Sequence, residues 1–183
     1  MSRIVLPAAL AACLLAAAGP GRALAPADSP AEAADALPRL GLLVVREDLL
    51  VSGQPTPQLW EVLKGEGVTT VINLRPDDEL PGRDERAEVE AAGLAYHHIP
   101  VAGPDGLTPD NASRLWRLVH GAQGRVLAHC GSGNRVGALL ALAAAEEGGM
   151  APEEALAFGK SAGLASPALE AEVRARLGLP PAE

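Results

Sequence analysis

The chain has 183 residues, 48% hydrophobic and 21% charged, which is enough apolar material for one packed domain and argues against wholesale disorder. Lys and Arg number 15 against 23 Asp and Glu, a net charge of −8, so a general nucleic-acid binder is excluded because phosphate backbones are held by clustered cations. Aromatic residues at 2% also remove the stacking platforms of single-strand binders.

Residues 1–27 read as a secretory signal. Arg3 supplies the positive start, Ile4–Ala18 is apolar, and small residues follow. Cleavage is expected after Ala25-Pro26-Ala27 rather than after Ala23-Leu24-Ala25, which would leave Pro26 at the new terminus. Two rivals are an uncleaved anchor and a lipidated Cys13 in the lipobox-like Leu10-Ala11-Ala12-Cys13. Against the second, the apolar run Leu14–Ala18 continues past the cysteine, where such a stretch should end. The expectation is export to the periplasm, with no membrane attachment once the signal is removed. Signal loss also removes Cys13, so Cys130 becomes the sole cysteine and no disulfide can form within one mature chain.

Residues 28–39, rich in Ala, Pro and Asp, read as a flexible leader, and residues 40–183 as a single domain. Strands are expected at Leu42–Val45 and Leu49–Val51, a turn at Ser52-Gly53-Gln54-Pro55, and a helix from Thr56-Pro57 to Lys64. Thr69–Leu74 is a β-branched strand, Asp84–Ala92 an amphipathic helix, Ala95–Val101 a strand and Pro109–Gly121 a helix. Arg125–His129 is a short strand running into Cys130, Val136–Ala145 a buried apolar helix, and Pro152–Lys160 and Pro167–Leu177 two closing helices. Strands alternating with helices imply an α/β fold with a mostly parallel central sheet flanked by helices. Ligands of such sheets sit beyond the carboxyl ends of the strands, and His129-Cys130 lies at one of those ends.

The segment with chemistry in it is His129-Cys130-Gly131-Ser132-Gly133-Asn134-Arg135-Val136-Gly137. Gly131 and Gly133 let the loop curl with its amides inward, a nest for an anion, and the helix that follows adds its positive N-terminal end. Together these favour the thiolate of Cys130, a nucleophile. Arg135 can fork two donors onto an oxyanion in a way lysine cannot. Gly131, Ser132, Gly133, Asn134 and Arg135 are therefore the expected anion-binding residues. A small buried thiol after a strand, with a loop that is only a turn, is the plain alternative.

His-Cys-x-x-Gly-x-Arg resembles the active loop of the cysteine-dependent protein tyrosine and dual-specificity phosphatases. Ser52-Gly53-Gln54-Pro55-Thr56 and Val71-Ile72-Asn73-Leu74-Arg75-Pro76 resemble the phosphatase-like domain of the beta-lactamase-hydrolase-like group, and the likeness covers about Leu49 to Gly163. It implies a cysteine-phosphatase-like fold, Cys130 as nucleophile, Arg135 as phosphate ligand, and His129 as support for the backbone setting of the cysteine. It also implies a phosphomonoester substrate, phosphotyrosine or a small phosphorylated metabolite, and no metal or organic cofactor. Two features depart from the phosphatase pattern. Four residues rather than five separate Cys130 from Arg135, a spacing that resembles the persulfide loop of the rhodanese sulfurtransferases, and Val136 replaces the usual Ser or Thr. Sulfur transfer through a Cys130 persulfide and a non-catalytic anion-binding domain therefore stay open.

By the same resemblance the general acid is an Asp on a loop ahead of the cysteine strand, and Pro104-Asp105-Gly106 occupies that place. Asp105 is the candidate; Asp110 reads better as an acid in the first turn of a helix. His97 and His98, adjacent on a strand, point to opposite faces and cannot easily share a metal. Arg75 is expected either to face the mouth of the site or to pair with Asp77 or Asp78. Arg83–Glu88 reads as a solvated helix face, and Trp60 and Trp116 as core.

Overall fold

The computed structural model describes residues 37–182. Residues 1–27, read as a signal, and most of the expected leader lie outside them. Residues 37–39, expected to end the leader, form a helical turn, and Leu37 is packed into the core.

Five strands form one sheet in the order β1-β2-β5-β3-β4: β1 Leu42–Arg46, β2 Leu49–Ser52, β3 Val68–Asn73, β4 Ala95–His98 and β5 Arg125–His129. β1 pairs antiparallel with β2, and every other pairing is parallel. The central strands β2 and β5 are covered on both faces, which is why Leu49-Leu50-Val51 and Val126-Leu127-Ala128 read as continuous apolar runs rather than alternating ones.

Among the described residues six helices cover the sheet: α1 Leu59–Gly65, α2 Glu85–Ala91, α3 Pro109–Gly121, α4 Asn134–Glu146, α5 Pro152–Ser161 and α6 Pro167–Leu177. The two-residue period of the strands sorts side chains between two cores. Leu49, Val51, Val126 and Ala128 face the layer of α3, α4, α5 and α6. Leu50, Leu127 and Val71 face α1 and α2, with Trp60, Leu63 and Val89. α4 is buried without a break from Val136 to Ala144, and α5 lies against it so closely that a Cβ at Gly137 would stand 2.5 Å from the Gly159 carbonyl oxygen.

Two boundaries differ from the sequence reading for local reasons. Thr56–Gln58 make a turn closed by Leu59 N–H to Thr56 O, so α1 starts at Leu59. β4 ends at His98 rather than Val101, although Ile99 and Val101 still donate to Asn73 and Leu74 and the nitrogen of Pro100 faces away from β3. Trp60 is core as expected, whereas Trp116 is only partly buried.

Candidate active site

β5 delivers Cys130 to the carboxyl end of the sheet, between the ends of β2 and β3. The alternation along β5 sends His129 to the α1–α2 side with Leu127 and Cys130 to the α4 side with Ala128. Cys130 is 1% exposed, and its Sγ accepts the Gly133 N–H at 3.1 Å. That closure requires Gly133 at φ 85°, a left-handed conformation that side chains rarely adopt. Gly133 also caps α4, so the first-turn amides of Asn134, Arg135 and Val136, which have no intrahelical acceptor, cluster behind the loop. The Ser52–Pro55 turn, distant in sequence, backs the loop: Gly53 forms a β-bridge with Ser132, and Cys130 N–H donates to Ser52 O at 3.4 Å.

Arg135 is brought to the same loop, with its Nη2 3.4 Å from where a Cβ on Gly131 would lie. Its fork is held from one side by Glu79, with Nη1 to Oε1 and Nη2 to Oε2 both 2.7 Å, and Nη1 also donates to Val101 O at 2.9 Å. A guanidinium gripped in this bidentate way loses little further freedom when an anion arrives. The hydrogen bonds from Arg135 hold the Glu79 carboxyl below its ordinary value despite burial, with help from Arg75. The Arg135 guanidinium is raised above its ordinary value by Glu79, against the pull of burial, and by the facing Cys130. Of the two expectations for Arg75, pairing with Asp77 or Asp78 is not what the structure shows. Its Nε donates to Glu79 Oε2 at 3.1 Å and its Nη1 to Gln54 Oε1 at 2.6 Å. The acids of the Asp77–Glu79 turn are three in a row, and only the third reaches the arginines.

On the other face, His129 Nε2 meets Glu85 Oε1 at 2.9 Å, and both side chains are almost wholly buried. Glu85 also accepts from Gln54 Nε2 and lies 3.9 Å from Arg83. Burial pushes the Glu85 carboxyl up, but His129, Gln54 and Arg83 together leave it below its ordinary value. The stretch Arg83–Glu88 is therefore not a solvated face throughout: Glu85 is 2% exposed, and Arg83 bonds Glu88 and the Pro55 carbonyl. Helical spacing puts Glu85 on the inward face with Val89 and Ala92, but a carboxylate there does not read as a core residue. A second signal is a histidine at a buried strand end that needs a partner.

An open cleft of about 430 Å³ lies beside Arg135, lined by Glu79, Gly103, Pro104, Ser132, Asn134 and Leu169 among others. Asp105 sits on the short 3-10 turn Gly103–Gly106, exposed and adjacent to the two lining residues that precede it. The Asn134 side chain is engaged elsewhere: Oδ1 accepts from Ala165 N–H at 2.7 Å and Ser166 N–H at 2.6 Å, and Nδ2 donates to Ser132 Oγ at 3.1 Å. It leaves its backbone amide, not its side chain, for an anion. Val136 is fully buried in the α3–α6 core, so position 136 offers no hydroxyl to the sulfur. Among the described residues no group of three or more His, Cys, Asp and Glu is arranged to hold a metal ion.

The sequence profile of the phosphatase-like domain of beta-lactamase hydrolase-like proteins matches residues 41–147. The chain belongs to that family. A beta-lactamase hydrolase-like protein of Xylella fastidiosa is 37% identical over 123 residues, 65% of this chain but 28% of the relative. One from Agrobacterium fabrum is 34% identical over the same span. The chain thus matches little more than a quarter of these relatives' length. Among solved structures, a DUF442 protein of Shewanella putrefaciens aligns with a TM-score of 0.57 and 27% identity, covering 74% of this chain and 87% of the other. Pseudomonas aeruginosa TpbA, crystallised with phosphotyrosine, aligns at 0.59 and 23% identity over 75% of this chain and 83% of its own. The architecture of this beta-lactamase-hydrolase-like domain is that of the cysteine phosphatases.

Proposed function

We propose that the chain is a cysteine-dependent phosphatase acting on a phosphomonoester through a phosphocysteine. The observation that carries this reading is the convergence on one loop of the Cys130 sulfur, the Gly133 amide bonded to it, the N-terminal end of α4, and an Arg135 fork clamped by Glu79. In the first step the Cys130 thiolate attacks phosphorus while Arg135 and the loop amides take up the charge on the equatorial oxygens. The P–O bond to the leaving group breaks, and the leaving oxygen takes a proton from Asp105. Water then attacks phosphorus, Asp105 accepts its proton, the S–P bond breaks, and phosphate departs. With valine at 136, departure of the thiolate has no hydroxyl assistance from that position, so the second step is the slow one. The substrate proposed is a phosphotyrosine or a small phosphorylated metabolite, met after export.

A second reading rests on the four-residue spacing between Cys130 and Arg135, which would suit a persulfide carrier. Two assays separate the readings: p-nitrophenyl phosphate hydrolysis, and thiocyanate formation from thiosulfate and cyanide. Phosphate release that falls by at least about a thousandfold in Cys130→Ser is expected. Thiocyanate formation without phosphate release moves the chain to sulfur transfer, and silence in both leaves a non-catalytic anion-binding domain. Asp105→Asn is expected to remove the basic limb of kcat/KM against pH, which reports the first step, and to lower kcat/KM about a hundredfold; an unchanged limb takes Asp105 out of the role.

A further inference from the structure

Between the buried His129–Glu85 pair and the partly buried fork of Arg135 runs an unbroken chain of polar contacts, and its hydrogen-bond polarity is fixed at both ends. Glu85 is acceptor-only: Oε1 faces His129 and Oε2 faces Gln54 Nε2. Arg75 is donor-only: Nη1 donates to Gln54 Oε1, Nε to Glu79 Oε2, and Nη2 to the Glu79 carbonyl. Glu79 is acceptor-only again and grips Arg135. Gln54 is the one link that must donate on one side and accept on the other. An amide does this without carrying charge. Its second N–H is also used, on the Pro55 carbonyl at 3.3 Å.

We propose that Gln54 is a positioning residue that couples the buried His129–Glu85 pair, next to the nucleophile, to the Arg75–Glu79 clamp that aims Arg135. The inference rests on the phosphatase reading for its activity readout, but not for its binding readout. Gln54 faces Glu85, Arg75 and, through Pro55, Arg83. A deprotonated glutamate at 54 sets two carboxylates against each other across the contact with Glu85. A protonated one restores the original polarity, with O–H donating to Glu85 and C=O accepting from Arg75. Methionine matches the length of glutamine and offers neither function.

The experiment compares the full chain with Gln54→Met and Gln54→Glu, reading kcat/KM for p-nitrophenyl phosphate and the affinity for tungstate by calorimetry. Gln54→Met is expected to lower both about tenfold or more, since a fork misplaced by about an ångström forfeits that much. Gln54→Glu is expected to match that loss at about pH 7.5, where the introduced carboxyl is ionised, and to recover toward the parent as that carboxyl protonates in the acid range. Gln54→Met should show no such recovery. Retention of parental activity and tungstate affinity by Gln54→Met, or a variant-to-parent ratio for Gln54→Glu that is flat in pH, overturns the proposal. Should Gln54→Met fail to fold, the pH dependence of Gln54→Glu decides alone. Should the parent release no phosphate, the phosphatase reading fails, and the tungstate affinities still decide the coupling.

Discussion

The two faces of the sheet are built on opposite principles. The α3–α6 face is almost entirely apolar, with α4 buried from Val136 to Ala144 and approached closely by α5. The α1–α2 face holds its own apolar cluster but also a buried carboxylate and histidine and the polar chain that leads from them to Arg135. The apolar face fixes where the backbone of the cysteine loop runs, because close packing tolerates only one path. The polar face fixes where charged side chains point, because hydrogen bonds are directional and packing is not. Cys130 lies at the seam, carried by the first and flanked by the second.

The strongest way to break this division is on the polar face. Glu85→Ala leaves His129 buried without its partner and is expected to lower stability by about 3–5 kcal/mol, read as a shifted urea midpoint. The same carboxylate predicts acid sensitivity. Its folded value lies below its ordinary 4.5, so the ionised form stabilises the fold above that pH, and the stabilisation is lost as pH falls from there through the folded value. Thermal midpoints measured down the acid range should fall more steeply for the parent than for Glu85→Ala, and parallel curves would contradict a stabilising buried carboxylate.

Next in size is the apolar face. Gly137→Ala forces a methyl against the Gly159 carbonyl and the Leu164 amide, both 2.5 Å from the added carbon. A loss of about 2 kcal/mol in chemical denaturation is expected, since overpacking displaces backbone here rather than a flexible side chain. If the division of labour holds, the folded Gly137→Ala protein keeps its Arg135 geometry and hence its oxyanion affinity.

The smallest effect expected is at Asn134→Ala. It removes the acceptor for the Ala165 and Ser166 amides and should cost about 1–2 kcal/mol, with faster hydrogen exchange at those two amides as the specific sign. An unchanged exchange rate there would show that the staple between the loop and the wall of the cleft is not needed.

Much of the fold was legible because its signals are local. The strand periods, the apolar helix after Arg135, and the proline and glycine punctuation place the elements to within a few residues. The misplaced ends, at Thr56–Gln58 and beyond His98, occur where a proline gives two consistent local readings. The cysteine loop was legible for the same reason: nucleophile, glycines and arginine lie within six consecutive positions. The partners of that loop were not. For Arg75, proximity in sequence offers Asp77 and Asp78 as partners beside the open mouth of the site, whereas the turn presents Glu79.

The sequence by itself determined an α/β chain with a thiol and a guanidinium on one strand-to-helix loop, since backbone propensity and hydrophobic period act over a few residues. Only the tertiary structure decided that Glu79 clamps Arg135 from 56 positions away and that Glu85 is buried on His129 from 44. The reason is physical. A charged residue carries the same local pattern whether water or a buried partner solvates it, and which of the two it meets depends on how the parallel strands bring the ends of β2, β3 and β5 together.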